Sequence, residues 1–182
     1  MKLSKVAVAM GLGMVLVSGF ANAADDASQG GGKVHFTGRI INAPCSVAPR
    51  GPGEDPVDLG QVSAKSLMNQ GTSTPKEFTI TLDDCILDKD GQGVTIKFTG
   101  ESAPNSNDKL LGIHGGAQGA GIAITDAAGQ VIPLGTDSTS QKLQSGPNTM
   151  TFTAYLQGTA ASESEIVAGN FDAVTDFTLN YD

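Results

Sequence analysis

Cys45 and Cys85 are the two cysteines of this chain, and three chemistries are open to such a pair. They could bind a metal, supply a nucleophilic thiol, or join. A structural zinc site needs four N or S ligands. The two histidines, His35 and His114, lie far apart in sequence and do not complete a convincing set. A second candidate is Asp88-Lys89-Asp90-Gly91-Gln92-Gly93, which starts like a calcium loop, with oxygen ligands at the first, third and fifth places and glycine at the sixth. The twelfth place needs a bidentate glutamate and holds Thr99. Val94 onward reads as a strand, so the segment is expected to be a tight Asp-Gly turn between two strands. There is no Gly-x-Ser-x-Gly elbow, His-Glu-x-x-His pair, phosphate loop or dinucleotide fingerprint. No enzyme, cofactor or metal site is expected.

The compartment decides the cysteine question. Lys2 and Lys5 precede an apolar run from Val6 to Phe20, and Ala21-Asn22-Ala23 follows as a small-x-small site. This is the anatomy of a secretory signal peptide. The run is shorter than the ~20 residues of a spanning helix. Residues 1–23 are therefore expected to be removed, which takes 182 residues down to 159 and suits one domain. In an oxidising compartment Cys45 and Cys85 are expected to form a disulfide. Without Lys2 and Lys5 the 11 basic residues fall to 9 against 19 acidic ones, a formal charge of −10. Such a chain is a poor partner for nucleic acid, which is bound by neutralising phosphates.

Strand patterns account for most of the rest. Val34, Phe36, Gly38 and Ile40 alternate with Lys33, His35, Thr37 and Arg39, behind the flexible Gly30-Gly31-Gly32 lead. Phe78, Ile80 and Leu82 alternate with threonine and aspartate just before Cys85. Val94, Ile96 and Phe98 repeat the pattern, as do Met150, Phe152, Ala154 and Leu156. Ile122 and Ile124 lead into a turn at residues 126–129, with residues 131–134 beyond it. Phe171, Ala173, Thr175, Phe177, Leu179 and Tyr181 share one parity to within a residue of the end, and a strand patterned so far is expected to be gripped there. A single helical turn is expected at residues 63–68. Loops are expected at 51–56, 103–109 and 159–169. Threonine-rich and aromatic strands separated by Gly, Asn, Asp and Pro predict an all-β sandwich.

These residues resemble a known family, the major pilins of chaperone–usher fimbriae. The likeness is nearest to P-pilus and mannose-resistant fimbrial subunits, with type 1 pilins further off. It rests on Val34-His35-Phe36-Thr37-Gly38, Asn42-Ala43-Pro44-Cys45, Asp58-Leu59-Gly60-Gln61-Val62 and Phe78-x-Ile80-x-Leu82-x-x-Cys85. It closes with Gly169, fourteenth from the end, and the penultimate Tyr181. Asp182 departs from the glutamine that many members carry.

The resemblance implies an incomplete immunoglobulin-like β-sandwich lacking its last strand, with an apolar groove in its place. It implies a signal at 1–23, an N-terminal donor extension at 24–44 and a pilin domain at 45–182. Val34, Phe36, Gly38 and Ile40 would enter the groove of a neighbouring copy, building a head-to-tail filament by donor-strand exchange. Gly38 has two readings, a bulge or close backbone approach, or a shallow point of the groove. Gly169, Phe171, Phe177, Leu179 and Tyr181 would form the groove edge and the face met by a periplasmic chaperone, which also anchors the terminal carboxylate. An outer-membrane usher would exchange the chaperone for the next subunit, exporting the product to the cell-surface fimbrium. The alternatives are a minor subunit (adaptor, terminator or tip component) and a secreted β-sandwich module binding sugar or calcium. Aromatics at 5% of the chain leave little for a sugar platform.

Overall fold

The computed structural model describes residues 32–48, 56–89, 91–159 and 165–182. The signal-peptide reading, the first two residues of the glycine lead, and parts of the 51–56, 88–93 and 159–169 segments lie outside the described residues. The chain divides into two units, Met1–Ile40 and Ile41–Asp182.

In the first unit, residues 32–40 are exposed and carry no strand. Val34, Phe36 and Ile40 are 75%, 91% and 101% exposed. The alternation there does not become a strand in the single chain. A strand needs a partner edge to satisfy its backbone groups.

The second unit is a two-sheet sandwich in which every pairing is antiparallel. In chain order its strands are β1 (Ser46–Val47), β2 (Lys76–Cys85), β3 (Gly93–Thr99), β4 (Leu111–Gly112) and β5 (His114–Gly115). There follow β6 (Ala120–Thr125), β7 (Gln141–Lys142), β8 (Gly146–Gly158), β9 (Phe171–Asp172) and β10 (Asp176–Tyr181). One sheet has the order β1-β2-β8-β6-β4, the other β10-β3-β7, and β5 and β9 form a two-stranded ladder. Two short 3-10 turns over Ala64–Gln70, interrupted at Met68 and Asn69, stand where one turn was expected.

The alternating residues meet as their parity requires. Phe78 lies opposite Phe152 and Ile80 opposite Met150, so the apolar faces of β2 and β8 coincide. Val94, Ile96 and Phe98 of β3 close over them from the second sheet. The Phe98 ring meets those of Phe152 and Phe78 edge-on, at 5.4 Å and 6.3 Å. Cys45 and Cys85 are joined in a disulfide and buried in this core.

Two expectations need correction. The Asp-Gly segment is not a tight turn joining paired strands. β2 pairs with β8, whereas β3 pairs with β10 and β7, so the strands on either side of this segment belong to different sheets. Gly91 does turn the chain, with φ of +75°. The last strand is also not continuous. It divides into β9 and β10, which join different sheets, although burial still alternates through residues 173–175.

The expected turn after β6 is built around Asp126, which is buried. Its Oδ1 accepts hydrogen bonds from the N–H groups of Gln130 (2.9 Å) and Ala128 (3.0 Å), and its Oδ2 from the Thr139 hydroxyl (2.8 Å). Burial alone would raise the carboxyl pKa. The bonds from Gln130, Thr139 and Ala128 outweigh it and hold the group below its ordinary value. A depressed folded pKa contributes stability above the unfolded value, and this is lost as pH falls through the folded one. Asp126→Ala is therefore expected to cost about 2 kcal/mol near neutrality. Its deficit against the native chain should shrink in acid. Urea midpoints at pH 7 and pH 3 measure this, and an equal deficit at both would contradict it.

Candidate functional site

Between the two sheets lies an open apolar groove of about 1380 Å³. Small-molecule pockets run to about 300–1,000 Å³, so this one is large for a compact ligand. Its floor is the sandwich interior, with Phe78, Ile80, Phe98, Ile122, Ala154 and Leu156 all contributing. A completed sandwich would cover these residues with another strand.

The two rims differ in origin. One is the segment 56–62, which pairs with no strand among the described residues. It is pinned by Leu59, buried against Leu67, Ala120, Ala154 and Leu156. A turn at Gly60 shapes it: φ is +72°, and the Gly60 N–H donates to Asp58 Oδ1 at 2.8 Å. The other rim is the run 171–177, which leads into β10 at the margin of its sheet. β10 pairs with β3 along one side, Phe177 opposite Phe98, Leu179 opposite Ile96 and Tyr181 opposite Val94. Its other side pairs with no strand among the described residues.

Beside the groove, β5 pairs with β9, and Gln118 and Val167, which line it, bridge reciprocally at 3.1 Å and 3.0 Å. Gly169 permits the close approach of these two segments. A Cβ there would sit 2.6 Å from the Gly116 carbonyl carbon and 2.8 Å from the Ala117 nitrogen, so no larger residue fits.

The residues expected at the groove edge thus separate into roles. Gly169 sets the backbone approach and lines the groove, and Phe171 packs on the Leu59 and Leu156 cluster. Phe177 lines the groove and, with Leu179 and Tyr181, packs against the main core. Burial pushes the Tyr181 phenol above its usual pKa. Val34, Phe36, Gly38 and Ile40 are exposed, and a Cβ built on Gly38 would meet no atom within 4 Å. The rim at 56–62 and the lining residues Ile113, Gln118 and Val167 were not singled out as site residues from sequence.

An immunoglobulin-like sandwich with an open apolar groove between its sheets is the architecture of a pilin. Residues 34–182 match the family described as Fimbrial protein, and this chain belongs to that family. It is 48% identical to the Fimbria A protein of Serratia marcescens over 181 residues, covering 100% of this chain and 99% of that one. It is 43% identical to the major MR/P fimbria protein of Proteus mirabilis (strain HI4320), with the same coverage. A solved chaperone–usher pilus structure aligns with a TM-score of 0.70 and 31% identity, over 85% of this chain and 97% of that one. The protein is a structural subunit of a fimbrium at the cell surface and not an enzyme.

Proposed function

We propose that the groove receives residues 32–41 of a second copy as an added strand, and that repetition of this contact builds the fimbrial shaft. The observation that carries the reading is a mismatch within one chain. Val34, Phe36 and Ile40 are exposed apolar residues on one strand parity, and the groove is an apolar slot with unpaired backbone beside it. Strand addition satisfies both, with main-chain hydrogen bonds for affinity and alternate side chains for specificity; chaperone–pilin complementation is a known instance. Full burial of the three side chains is worth at most about 5–9 kcal/mol. A head-to-tail contact of this kind does not close on itself, so it propagates a filament.

The same groove supports a handover during export. A periplasmic chaperone would fill it first, against Gly169, Phe171, Phe177, Leu179 and Tyr181. An outer-membrane usher would then exchange that strand for the next subunit's arm.

The acceptor half can be tested with the full chain carrying Gly38→Arg, which keeps the groove. A synthetic peptide of residues 30–42, at a hundredfold excess over its Kd, is expected to stabilise it by about 2.7 kcal/mol, read as a higher thermal midpoint. No shift at any peptide concentration would contradict the reading.

A further inference from the structure

The polar face of the arm and the polar face of the groove rim carry opposite charges at the same spacing. Residues 27–53 contain no aspartate or glutamate, and the outward parity of the arm presents Lys33, His35, Thr37 and Arg39. The last forty residues of the chain contain no lysine or arginine. Along the rim, burial alternates strictly from Phe171 to Asp182, with Asp172, Val174, Asp176, Thr178, Asn180 and Asp182 outward.

The inward parity sets which residues can face each other. Phe171, Ala173, Thr175 and Phe177 line the groove on the more buried parity, four positions in a row, and the more exposed Asp172 and Val174 also border it. The arm offers Val34, Phe36, Gly38 and Ile40, also four in a row. Directly opposed residues share a face, and a slip by one would turn the whole apolar set outward. Every pairing in the sandwich is antiparallel. An antiparallel arm in this register sets Ile40 by Phe171 and Val34 by Phe177. On the outer face it sets Arg39 by Asp172 and His35 by Asp176.

We propose that Arg39 and His35 of one copy pair with Asp172 and Asp176 on the groove rim of the next, fixing the register and orientation of strand addition. This rests on the acceptor reading of the groove given above. The neighbouring strands do not already supply these partners. His114, opposite Asp172, has its Nε2 3.6 Å from Glu101 Oε2. Lys97, diagonal to Asp176 across β3, has its Nζ 3.6 Å from Asp137 Oδ1. No lysine, arginine or histidine among the described residues forms an ion pair with Asp172 or Asp176. Opposed charges across strands select partner and register as well as adding affinity. An imidazole N–H donates to a carboxylate whether or not the ring is charged. Being exposed, the pairs should weaken with salt.

The test measures binding of fluorescent peptides of residues 30–42 to the full chain carrying Gly38→Arg, at 20 mM and 300 mM NaCl. The native peptide is expected to bind more tightly at low salt. A peptide with Arg39→Asp is expected to bind roughly tenfold more weakly at low salt. An acceptor that also carries Asp172→Arg should restore that peptide, whereas Asp176→Arg should not. Equal binding of native and Arg39→Asp peptides, or rescue by Asp176→Arg alone, would overturn the pairing and leave strand addition standing. Failure of the native peptide to bind at either salt would overturn strand addition itself, and the pairing with it.

Discussion

Cells whose sole subunit carries Gly38→Arg are expected to make no fibres. Position 38 lies on the inward parity of the arm between Phe36 and Ile40, so its side chain would enter the neighbour's groove with theirs. An unpaired guanidinium drawn into an apolar slot carries a desolvation penalty of several kcal/mol. That penalty is comparable with the ~5–9 kcal/mol upper estimate for burying Val34, Phe36 and Ile40. Each junction would lose most of its free energy, and a filament multiplies the loss along its length. The fold of the subunit should be untouched, because a Cβ at Gly38 meets nothing within 4 Å in the chain itself. The variant therefore separates donation from reception. Mixed with native subunits, it should still accept a native arm, and so should be found only at the fibre end where no arm is donated, never within the shaft. Deletion of residues 24–37 should behave alike, without introducing a charge. Electron microscopy of the cell surface reads both, and fibres of normal length from either variant alone would sink the assembly mechanism.

The same glycine shows how far the sequence could be read. Its parity with Val34, Phe36 and Ile40 is plain in the residues, but parity does not say whose sheet the strand completes. β2, β3 and β8 were legible because each buries one face, and burying one face writes period 2 into the residues. The groove was legible only through resemblance, because a strand that is absent leaves no pattern. Its rim at 56–62 is held by Leu59 and by the Asp58 turn, which obey no period. The break between β9 and β10 was hidden for the opposite reason. Burial keeps alternating across residues 173–175, so the period survives where the sheet changes. The Asp-Gly turn misled similarly. Local turn chemistry says that the chain bends there and nothing about which sheet the next strand joins.

Replacing both Cys45 and Cys85 with serine is expected to cost the unassembled subunit about 4 kcal/mol, the chain-entropy value for a 40-residue separation. Against typical domain stabilities of about 5–15 kcal/mol, this could remove most of what an unfilled sandwich has. Location adds to the cost. Both cysteines are buried in the main core. Beside them the chain is held by few bonds: β1 is two residues long, and the Ile86 N–H donates to the Pro44 carbonyl at 2.8 Å. In a filament built by strand addition the arm is gripped by the next copy, so tension enters this domain along residues 41–45. The disulfide passes that tension covalently to the end of β2, a ten-residue strand paired with β8 in the centre of its sheet. Without it, the load would fall on β1 and its two-residue ladder with β2. The serine variant should therefore show a lower urea midpoint as a subunit and, where fibres form, should lose them under shear that native fibres survive. An unchanged midpoint would refute the stability estimate. A lowered midpoint with native shear resistance would refute the load path alone, since the domain would then be weakened while tension travelled by another route.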